Sequence, residues 1–308
     1  MHEAIAFALA TVTLQGRLYL PTEADEPFPV VIAHSGIGSV AEGFYELAPM
    51  FTETGSAVLF YDHRGFGYSD GLPRQEADPV QFARDLRDVI TLLSEHPRID
   101  ASRISLLGLS LGGLVSLLVA GTDHRVASVA AIVPPISGSS ARGLFPAQAL
   151  KQLDHDLVQD RREQLRGGEG RTLQTSGERV PGGPEVMFDD PEGWSFIQQR
   201  YLSLPSFRNE LTLASIGRVF EVEAAGYARR ITAPVLMILA SGDTVAPVAD
   251  ARDFFEALPE HKELWECPGQ HYGILLDNYH AIITRSAEWL AKQRHAATSG
   301  TDGRRRAS

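Results

Sequence analysis

Short apolar runs alternate along the chain with segments of helical spacing. The first apolar stretches, within residues 5–20, keep a period of about two residues around Gln15-Gly16 and predict an antiparallel hairpin closed by Pro21. Most of the later runs are typical of parallel strands that are buried on both faces. These runs lie at residues 29–33, 57–61, 103–107, 126–133, 234–239 and 263–266.

Segments between these runs predict helices. In the segment at 80–95, Phe82, Leu86 and Val89 form one apolar stripe, while Arg84 and Asp88 face away from it. The other predicted helices cover residues 44–54, 111–120, 248–258 and 279–293. Strands that alternate with helices are joined by crossover connections. The pattern therefore predicts an α/β fold with a mostly parallel sheet of about eight strands and helices on both faces.

One region interrupts this alternation. Residues 136–216 contain no convincing buried strand, only mixed-charge helical patches followed by a glycine-rich stretch. A core of this size does not need so long an addition, and long insertions usually carry function. We therefore predict an inserted helical cap at 136–216 between two parts of the core, 1–135 and 217–293. The small, polar residues at 294–308 predict a disordered tail.

Composition and charge exclude several classes of function. Of the 308 residues, 44% are hydrophobic and 22% are charged, which is typical of a chain with a large buried core. The net charge of −11 repels phosphate backbones and anionic lipid surfaces, so we expect neither nucleic acid nor a membrane as partner. The single cysteine, Cys267, cannot form an internal disulfide, which agrees with a cytoplasmic location.

The strongest chemical signal is the segment Gly108-Leu-Ser-Leu-Gly112, which has the pattern G-x-S-x-G. It follows a predicted strand and opens a predicted helix, the context in which this pattern holds a nucleophilic serine on a tight turn. Such a turn exposes the Ser110 hydroxyl at the carboxyl end of the sheet, beside the positive end of the helix dipole. The alternative interpretation is a glycine-rich turn with an incidental serine.

A serine nucleophile needs a base, and the base needs a partner that fixes its tautomer. When the serine lies on such a turn, an acid and then a histidine follow it along the chain. His271 lies in the loop after the last predicted strand, at the same edge of the sheet as Ser110, whereas His261 precedes that strand. Asp243 directly follows the run at 234–239. We predict that His271 is the base and that Asp243 orients it.

Acyl transfer also requires hydrogen-bond donors for the oxyanion of the tetrahedral intermediate. The backbone N–H of Leu111 is one predicted donor. The second donor is expected from the loop at 33–38. The backbone N–H of Ile37 is slightly favoured over that of Gly36, and both are kept as candidates. Four aromatic residues of the cap either line an acyl pocket or anchor the cap to the sheet, and the sequence favours neither role: Trp194, Phe196, Tyr201 and Phe207.

Other polar residues have simpler interpretations. Asp62 and Arg64 are expected to tie down a glycine-rich loop beside the site, and His34 is expected to be a buried structural histidine. No cluster of His, Cys and carboxylate residues has metal-ligand spacing, and no dinucleotide-binding glycine pattern follows the first crossover strand. The sequence therefore implies no metal and no cofactor.

Taken together, these motifs resemble the α/β-hydrolase superfamily over residues 5–293. The resemblance rests on five segments: His34-Ser-Gly-Ile-Gly38, Asp62-His-Arg-Gly-Phe-Gly-Tyr-Ser69, Gly108-Leu-Ser-Leu-Gly112, Ser241-Gly-Asp243 and Gly269-Gln-His271. The run Arg208-Asn-Glu-Leu-Thr-Leu213 is similar to the dienelactone-hydrolase-like group, which includes fungal polyketide transferases and thiohydrolases. The resemblance implies the α/β-hydrolase fold and the triad roles for Ser110, Asp243 and His271. Many relatives have glycine where this chain has Ser35, a difference that bears on the second oxyanion donor.

We therefore expect a capped serine hydrolase that cleaves a carboxylic ester or thioester of a small molecule through an acyl-enzyme. Acyl transfer to an alcohol or amine is the alternative within enzymes, because the same triad serves both reactions. A non-catalytic ligand-binding protein on the hydrolase fold is the alternative from another class. The sequence leaves open whether the protein forms a homodimer.

Overall fold

One mixed sheet of eight strands forms the centre of the molecule. The computed structural model describes residues 1–180, 183 and 185–305, with side chains described through residue 293. The strands of this sheet are β1 (His2–Ala8), β2 (Thr13–Tyr19), β3 (Phe28–His34), β4 (Ala57–Tyr61), β5 (Ile99–Leu109), β6 (Val126–Ile132), β10 (Val235–Ala240) and β11 (Lys262–Cys267). They lie in the order β1-β2-β4-β3-β5-β6-β10-β11. The α/β fold class is confirmed.

The sheet is antiparallel at one edge and parallel elsewhere. β1 and β2 pair antiparallel along their whole length, which confirms the predicted hairpin. The turn lies at residues 9–12, where the Leu9 N–H donates to the Val12 carbonyl. Gly16 lies within β2, where a Cβ would stand 2.7 Å from the Phe60 carbonyl oxygen of β4. β2 and β4 are also antiparallel, and the remaining neighbours are parallel.

Helices cover both faces of the sheet. The core contributes α1 (Ala48–Thr52), α2 (Pro79–Leu93), α3 (Leu111–Ala120), α8 (Val248–Ala257), α9 (Gly273–Asp277) and α10 (Tyr279–Arg305). The segment between β6 and β10 adds α4 (Gly138–Gly143), α5 (Ala147–Leu165), α6 (Pro191–Arg200) and α7 (Leu213–Phe220). Phe82 of α2, Leu114 of α3 and Phe254 of α8 belong to one buried cluster. Phe51 of α1 and Ile282 of α10 belong to a second. The sheet is therefore the middle layer of three.

The predicted helix at 44–54 is divided into two pieces. A 3₁₀ helix covers Ala41–Leu47, and α1 then begins at Ala48 with Pro49 in its first turn. Because proline has no backbone N–H to donate, it is tolerated at the start of a helix and breaks a helix that runs through it. A single continuous helix is therefore incompatible with proline at this position.

The cap is not only helical, and the prediction that 136–216 lacks strands was wrong. Between β6 and β10 the chain forms α4 to α7 and also β7 (Thr172–Ser176), β8 (Val186–Phe188) and β9 (Leu211–Thr212). These strands make a second sheet in the order β8-β7-β9. Each strand is short, and its partners lie far away in sequence. Local patterning therefore carries little signal for it.

The structure describes the predicted end of the cap but not the side chains of the predicted tail. The predicted end of the cap, residue 216, falls inside α7. The predicted disordered tail at 294–308 lies outside the residues whose side chains are described and stays a prediction. In the part of the chain that the structure describes, no helix combines the length and hydrophobicity needed to cross a membrane.

Candidate active site

Ser110 lies on a tight turn between β5 and α3. Its backbone φ is +52°, a region that residues with a side chain rarely adopt. The Ser110 N–H donates to the Ile132 carbonyl at 2.8 Å, which ties the turn to β6. A Cβ on Gly112 would stand 2.5 Å from the Ser35 carbonyl oxygen, and a Cβ on Gly108 would collide with the backbone at Gly112. The two glycines therefore permit the turn that presents the serine hydroxyl.

Three side chains predicted from separate motifs meet at this turn. The Ser110 Oγ lies 3.0 Å from the Nε2 of His271, and the Nδ1 of His271 lies 2.7 Å from the Oδ2 of Asp243. The His271 and Asp243 side chains are only 1% and 2% exposed, so water does not compete for their hydrogen bond. A neutral imidazole that donates from Nδ1 to the carboxylate can accept a proton at Nε2 from the serine.

Backbone hydrogen bonds hold the carboxylate of Asp243 in place. Its Oδ1 accepts from the N–H of Val245 at 2.9 Å and from the N–H of Ala246 at 2.8 Å. Asp243 follows the carboxyl end of β10, and His271 lies between β11 and α9. Because these parallel strands end at the same edge of the sheet, the two loops meet beside Ser110.

The predicted oxyanion donors lie next to the serine. Leu111 is the first residue of α3, so its N–H has no acceptor within the helix. The loop after β3 approaches from the other side, since a Cβ on Gly36 would stand 3.5 Å from the Ser110 Cβ. Within the described residues, neither the Leu111 nor the Ile37 N–H donates to a protein acceptor. The choice between Gly36 and Ile37 stays open.

The cavity beside Ser110 that is large enough for an acyl group is apolar. It has a volume of about 180 Å³, and Ile37 and Leu111 line it beside Ser110. Cap residues that the sequence did not single out form much of its wall: Leu144, Phe145, Met187, Phe188, Val219 and Phe220. Leu144 and Phe145 are 51% and 39% exposed, which is unusual for large apolar side chains. This exposure could have marked them as cavity residues, but it is a property of the folded protein that the sequence does not reveal.

One of the four predicted aromatic residues, Phe196, lines a cavity together with Ser110. Phe196 lies in the wall of a smaller cavity beside His271. Tyr201 is fully buried against Gly43, and its ring lies 5.2 Å from that of Phe207. Trp194 and Phe207 pack as partly buried residues against the same core cluster as Tyr201. This packing supports the second role considered for these residues, which is to anchor the cap to the core, for Trp194, Tyr201 and Phe207.

The glycine-rich loop after β4 is held by its charged residues, as expected. The Asp62 carboxylate is buried and accepts from the N–H groups of Ala41 at 2.7 Å and Tyr68 at 2.9 Å. Arg64 donates two hydrogen bonds of 2.6 Å to Asp85 of α2. Asp62 thus joins this loop to the segment that follows the Gly36 loop.

Two buried histidines lie under the Gly36 loop. The rings of His34 and His63 stack 5.4 Å apart, and His63 also stacks 4.1 Å from the ring of Phe82. His34 is 1% exposed, and its ring nitrogens have no hydrogen-bond partner among the described residues. Burial lowers the pKa of His34 well below its ordinary value of 6.5 and lowers the pKa of His63 to about 3. His34 is therefore a neutral residue of the core.

This histidine pair predicts a loss of stability in mild acid. Unfolded imidazoles bind protons below about pH 6.5 while the folded pair does not, so the unfolded state gains protons as the pH falls. We expect the free energy of unfolding from this source to fall between pH 6.5 and 5 by up to about 1.4 kcal/mol per pH unit for each histidine. His63→Phe keeps a ring against Phe82 and should remove one of the two contributions.

Urea denaturation of both proteins at pH 7 and pH 5 measures this difference. His280→Phe, at an exposed position of α10, is the matched control and should keep the wild-type pH dependence. Equal pH dependence in wild type and His63→Phe would contradict the prediction.

Neither metal-ligand chemistry nor thiol chemistry is indicated. Within the described ranges, no group of three or more His, Cys, Asp and Glu side chains is arranged to hold a metal ion. Cys267 is a buried free thiol at the end of β11, and burial raises its pKa. A raised pKa disfavours the reactive thiolate, so Cys267 is a core residue.

Known proteins are similar to this chain in sequence and in fold. The family model described as serine aminopeptidase, S33, matches residues 25–278. A thiohydrolase of Eupenicillium brefeldianum is 28% identical over 286 residues, which cover 91% of this chain and 90% of that protein. A polyketide transferase of Aspergillus fumigatus is 30% identical over 241 residues, covering 75% and 77%. The crystal structure of the α/β hydrolase GrgF from Penicillium sp. sh18 matches with a TM-score of 0.79 and 25% identity, covering 95% and 99% of the two chains.

The family match includes the serine turn, the acid loop and the histidine loop. The two matched relatives cover 91% and 75% of this chain, and the GrgF structure covers 95% of it. This chain therefore belongs to the serine aminopeptidase S33 family and is an α/β-hydrolase enzyme.

Proposed function

We propose that this enzyme cleaves a carboxylic ester or thioester with Ser110 as the nucleophile. The observation that carries the proposal is the continuous hydrogen-bonded chain from the Ser110 Oγ through His271 to Asp243. A serine hydroxyl is a weak nucleophile at neutral pH, and this arrangement supplies the base that activates it.

The acylation step follows from this geometry. His271 Nε2 takes the proton of Ser110 as its Oγ attacks the substrate carbonyl, and Asp243 stabilises the imidazolium that forms. The N–H of Leu111 and an N–H of the Gly36-Ile37 segment would stabilise the oxyanion. His271 then gives its proton to the departing alcohol or thiol, leaving the acyl group on Ser110.

The apolar cavity favours an uncharged acyl group. Among the described residues that line it, none carries a charge, and its only polar side chains are Ser110 and Thr244. An aminopeptidase must recognise the charged α-amino group of its substrate, for which a carboxylate in the wall is the natural partner. The cavity therefore argues for ester or thioester cleavage in this chain, although the family model is described as an aminopeptidase.

Acyl-chain length should affect the rate through this cavity. Each methylene that enters it contributes about 0.8 kcal/mol, which corresponds to about a fourfold increase in kcat/KM. We expect kcat/KM to increase at each step from acetyl to butyryl esters of p-nitrophenol. Leu144→Asp, which places a carboxylate in the wall, should remove most of this gain.

The matched control is Leu165→Asp. Leu165 is 82% exposed at the end of α5 and does not line the cavity, so its substitution should preserve the chain-length dependence. If Leu144→Asp and Leu165→Asp kept the same dependence, the acyl group would not bind in this cavity.

A fluorophosphonate probe tests the proposed nucleophile directly. We expect one covalent adduct, located at Ser110 by peptide mass spectrometry and absent after the protein is unfolded. Failure of the folded protein to react, with binding of an acyl ligand retained, would favour the non-catalytic alternative.

Acyl transfer is the second candidate, favoured by the relatives that are named polyketide transferases. In that reaction an alcohol or amine replaces water as acceptor. Product analysis with competing acceptors separates the two reactions, because hydrolysis gives only the free acid.

We also propose a partner and a cellular location for this enzyme. The partner proposed is a small-molecule acyl substrate, consistent with the volume of the cavity. A cytoplasmic location is supported by the single, buried, reduced Cys267. The net charge of −11 argues against binding to nucleic acid or to an anionic membrane surface.

A further inference from the structure

A second, small cavity lies beside Ser110 on the side of His271. Its volume is about 20 Å³. A single water molecule needs roughly 10–15 Å³ of such space, so the cavity is the size of one water. Its wall contains hydroxyl groups, from Ser39, Thr175 and Ser176. Ser110 thus stands between a large apolar cavity and a small one with polar groups.

The hydroxyl groups of Thr175 and Ser176 have no partner within the described part of the protein. Both residues lie on β7 of the cap and are 2% and 1% exposed. Their side-chain oxygens make no hydrogen bond to any described residue. Buried hydroxyl groups are usually paired, so unpaired hydroxyl groups on two residues that line one cavity point to a polar ligand at that wall.

Both residues are held firmly in place. Asn209 donates from Nδ2 to the Ser176 carbonyl at 2.7 Å and accepts from the Ser176 N–H at 3.1 Å. Thr175 packs on the oxyanion loop, because a Cβ on Gly38 would stand 3.1 Å from the Thr175 Oγ1. Asn209 therefore holds the backbone of Ser176 on both sides.

We propose that this cavity is the acceptor subsite, in which Thr175 and Ser176 position the water that attacks the acyl-enzyme. The inference rests on the proposed function and concerns its second step. The water oxygen forms a bond to the acyl carbon while His271 Nε2 takes one of its protons. The bond between that carbon and the Ser110 Oγ then breaks, Ser110 recovers the proton from His271, and a carboxylic acid leaves.

The size of the subsite also favours water over a larger acceptor. A cavity of about 20 Å³ holds one water molecule, so the carbon atoms of an acceptor, like those of the leaving group in acylation, must lie outside it. Removing a side chain from the wall should admit a larger acceptor. Thr175→Ala enlarges the cavity, whereas Thr175→Val keeps its size and removes only the hydroxyl group.

Acylation and deacylation can be measured separately with p-nitrophenyl butyrate. Release of nitrophenol reports acylation, and intact-protein mass spectrometry of quenched samples reports the lifetime of the acyl-enzyme. For Thr175→Val and Ser176→Ala we expect acylation within about threefold of wild type and deacylation slower by about tenfold, the equivalent of one lost hydrogen bond. Thr175→Ser keeps the hydroxyl and should restore deacylation.

A second measurement uses methanol as a competing acceptor. The ratio of methyl butyrate to butyric acid depends only on the acyl-enzyme and is unaffected by the fraction of folded protein. Thr175→Ala should raise this ratio about tenfold, and Thr175→Val should leave methanolysis low. Thr172→Val, at an exposed position of the same strand, is the matched control and should match wild type in both measurements.

The outcomes distinguish this inference from the proposed function. If wild type forms an acyl-enzyme and the variants neither slow deacylation nor change the product ratio, the acceptor subsite is wrong and the proposed function stands. If acylation and deacylation slow equally, Thr175 and Ser176 act on both steps and the subsite is also wrong. If wild type forms no acyl-enzyme, the proposed function itself fails.

Discussion

Replacement of Ser110 by alanine is expected to lower kcat for ester hydrolysis by about 10⁶-fold. The Ser110 Oγ is the atom that lies 3.0 Å from the His271 Nε2, and alanine removes it without disturbing the backbone of the turn. His271→Ala should cost about as much, because serine and base act as one unit. The double variant should therefore be no slower than either single variant.

Steady-state kinetics of the two single variants and the double variant tests this expectation. The KM should change little, because the apolar cavity that holds the acyl group is intact. Circular dichroism and thermal unfolding serve as controls for folding. Normal hydrolysis by Ser110→Ala would refute the assignment of the nucleophile, and additive losses would show that Ser110 and His271 act independently.

Asp243→Asn is expected to lower kcat by about 10⁴-fold while leaving the fold intact. The Asp243 Oδ1 accepts from the N–H groups of Val245 and Ala246, and the amide oxygen of asparagine can keep both bonds. The amide NH₂ must then face the His271 Nδ1, which forces that nitrogen to accept a hydrogen bond rather than donate one. The Nε2 then carries the proton and cannot take another from Ser110.

Kinetics and unfolding measurements together test this prediction. Asp277→Asn is the matched control, because Asp277 is exposed at the end of α9 and should tolerate the change at full activity. A loss of stability as large as the loss of activity would indicate that Asp243 serves mainly to hold the loop. Activity near that of wild type would show that the His271 tautomer does not depend on Asp243.

The central sheet and the three meeting residues were predictable because their signals are local. Buried parallel strands are apolar at nearly every position, as residues 57–61 illustrate, and the glycines around Ser110 mark a turn that few other sequences permit. The meeting of Asp243 and His271 with Ser110 was predictable because the strands that precede them are parallel, so their carboxyl ends lie at the same edge of the sheet. Each of these inferences needs only neighbours in sequence and the geometry common to all parallel sheets.

The cap was less predictable because its structure depends on distant pairing. β7 is recognisable only beside β8 and β9, and the residues that pair with it lie far along the chain. The same applies to the aromatic residues: Phe196 faces a cavity while Tyr201 packs on Gly43, and nothing in their local sequence distinguishes them.

The amino-acid sequence by itself determined the α/β architecture, the serine turn and the order of acid and base, since periodicity and turn chemistry encode these features locally. Tertiary structure alone decided which cap residues surround Ser110. It also decided that Leu144 and Phe145 line an apolar cavity while Thr175 and Ser176 line a smaller one beside His271. The physical reason is that burial and cavity shape arise where segments distant in sequence pack together, and these segments carry no common pattern before they meet.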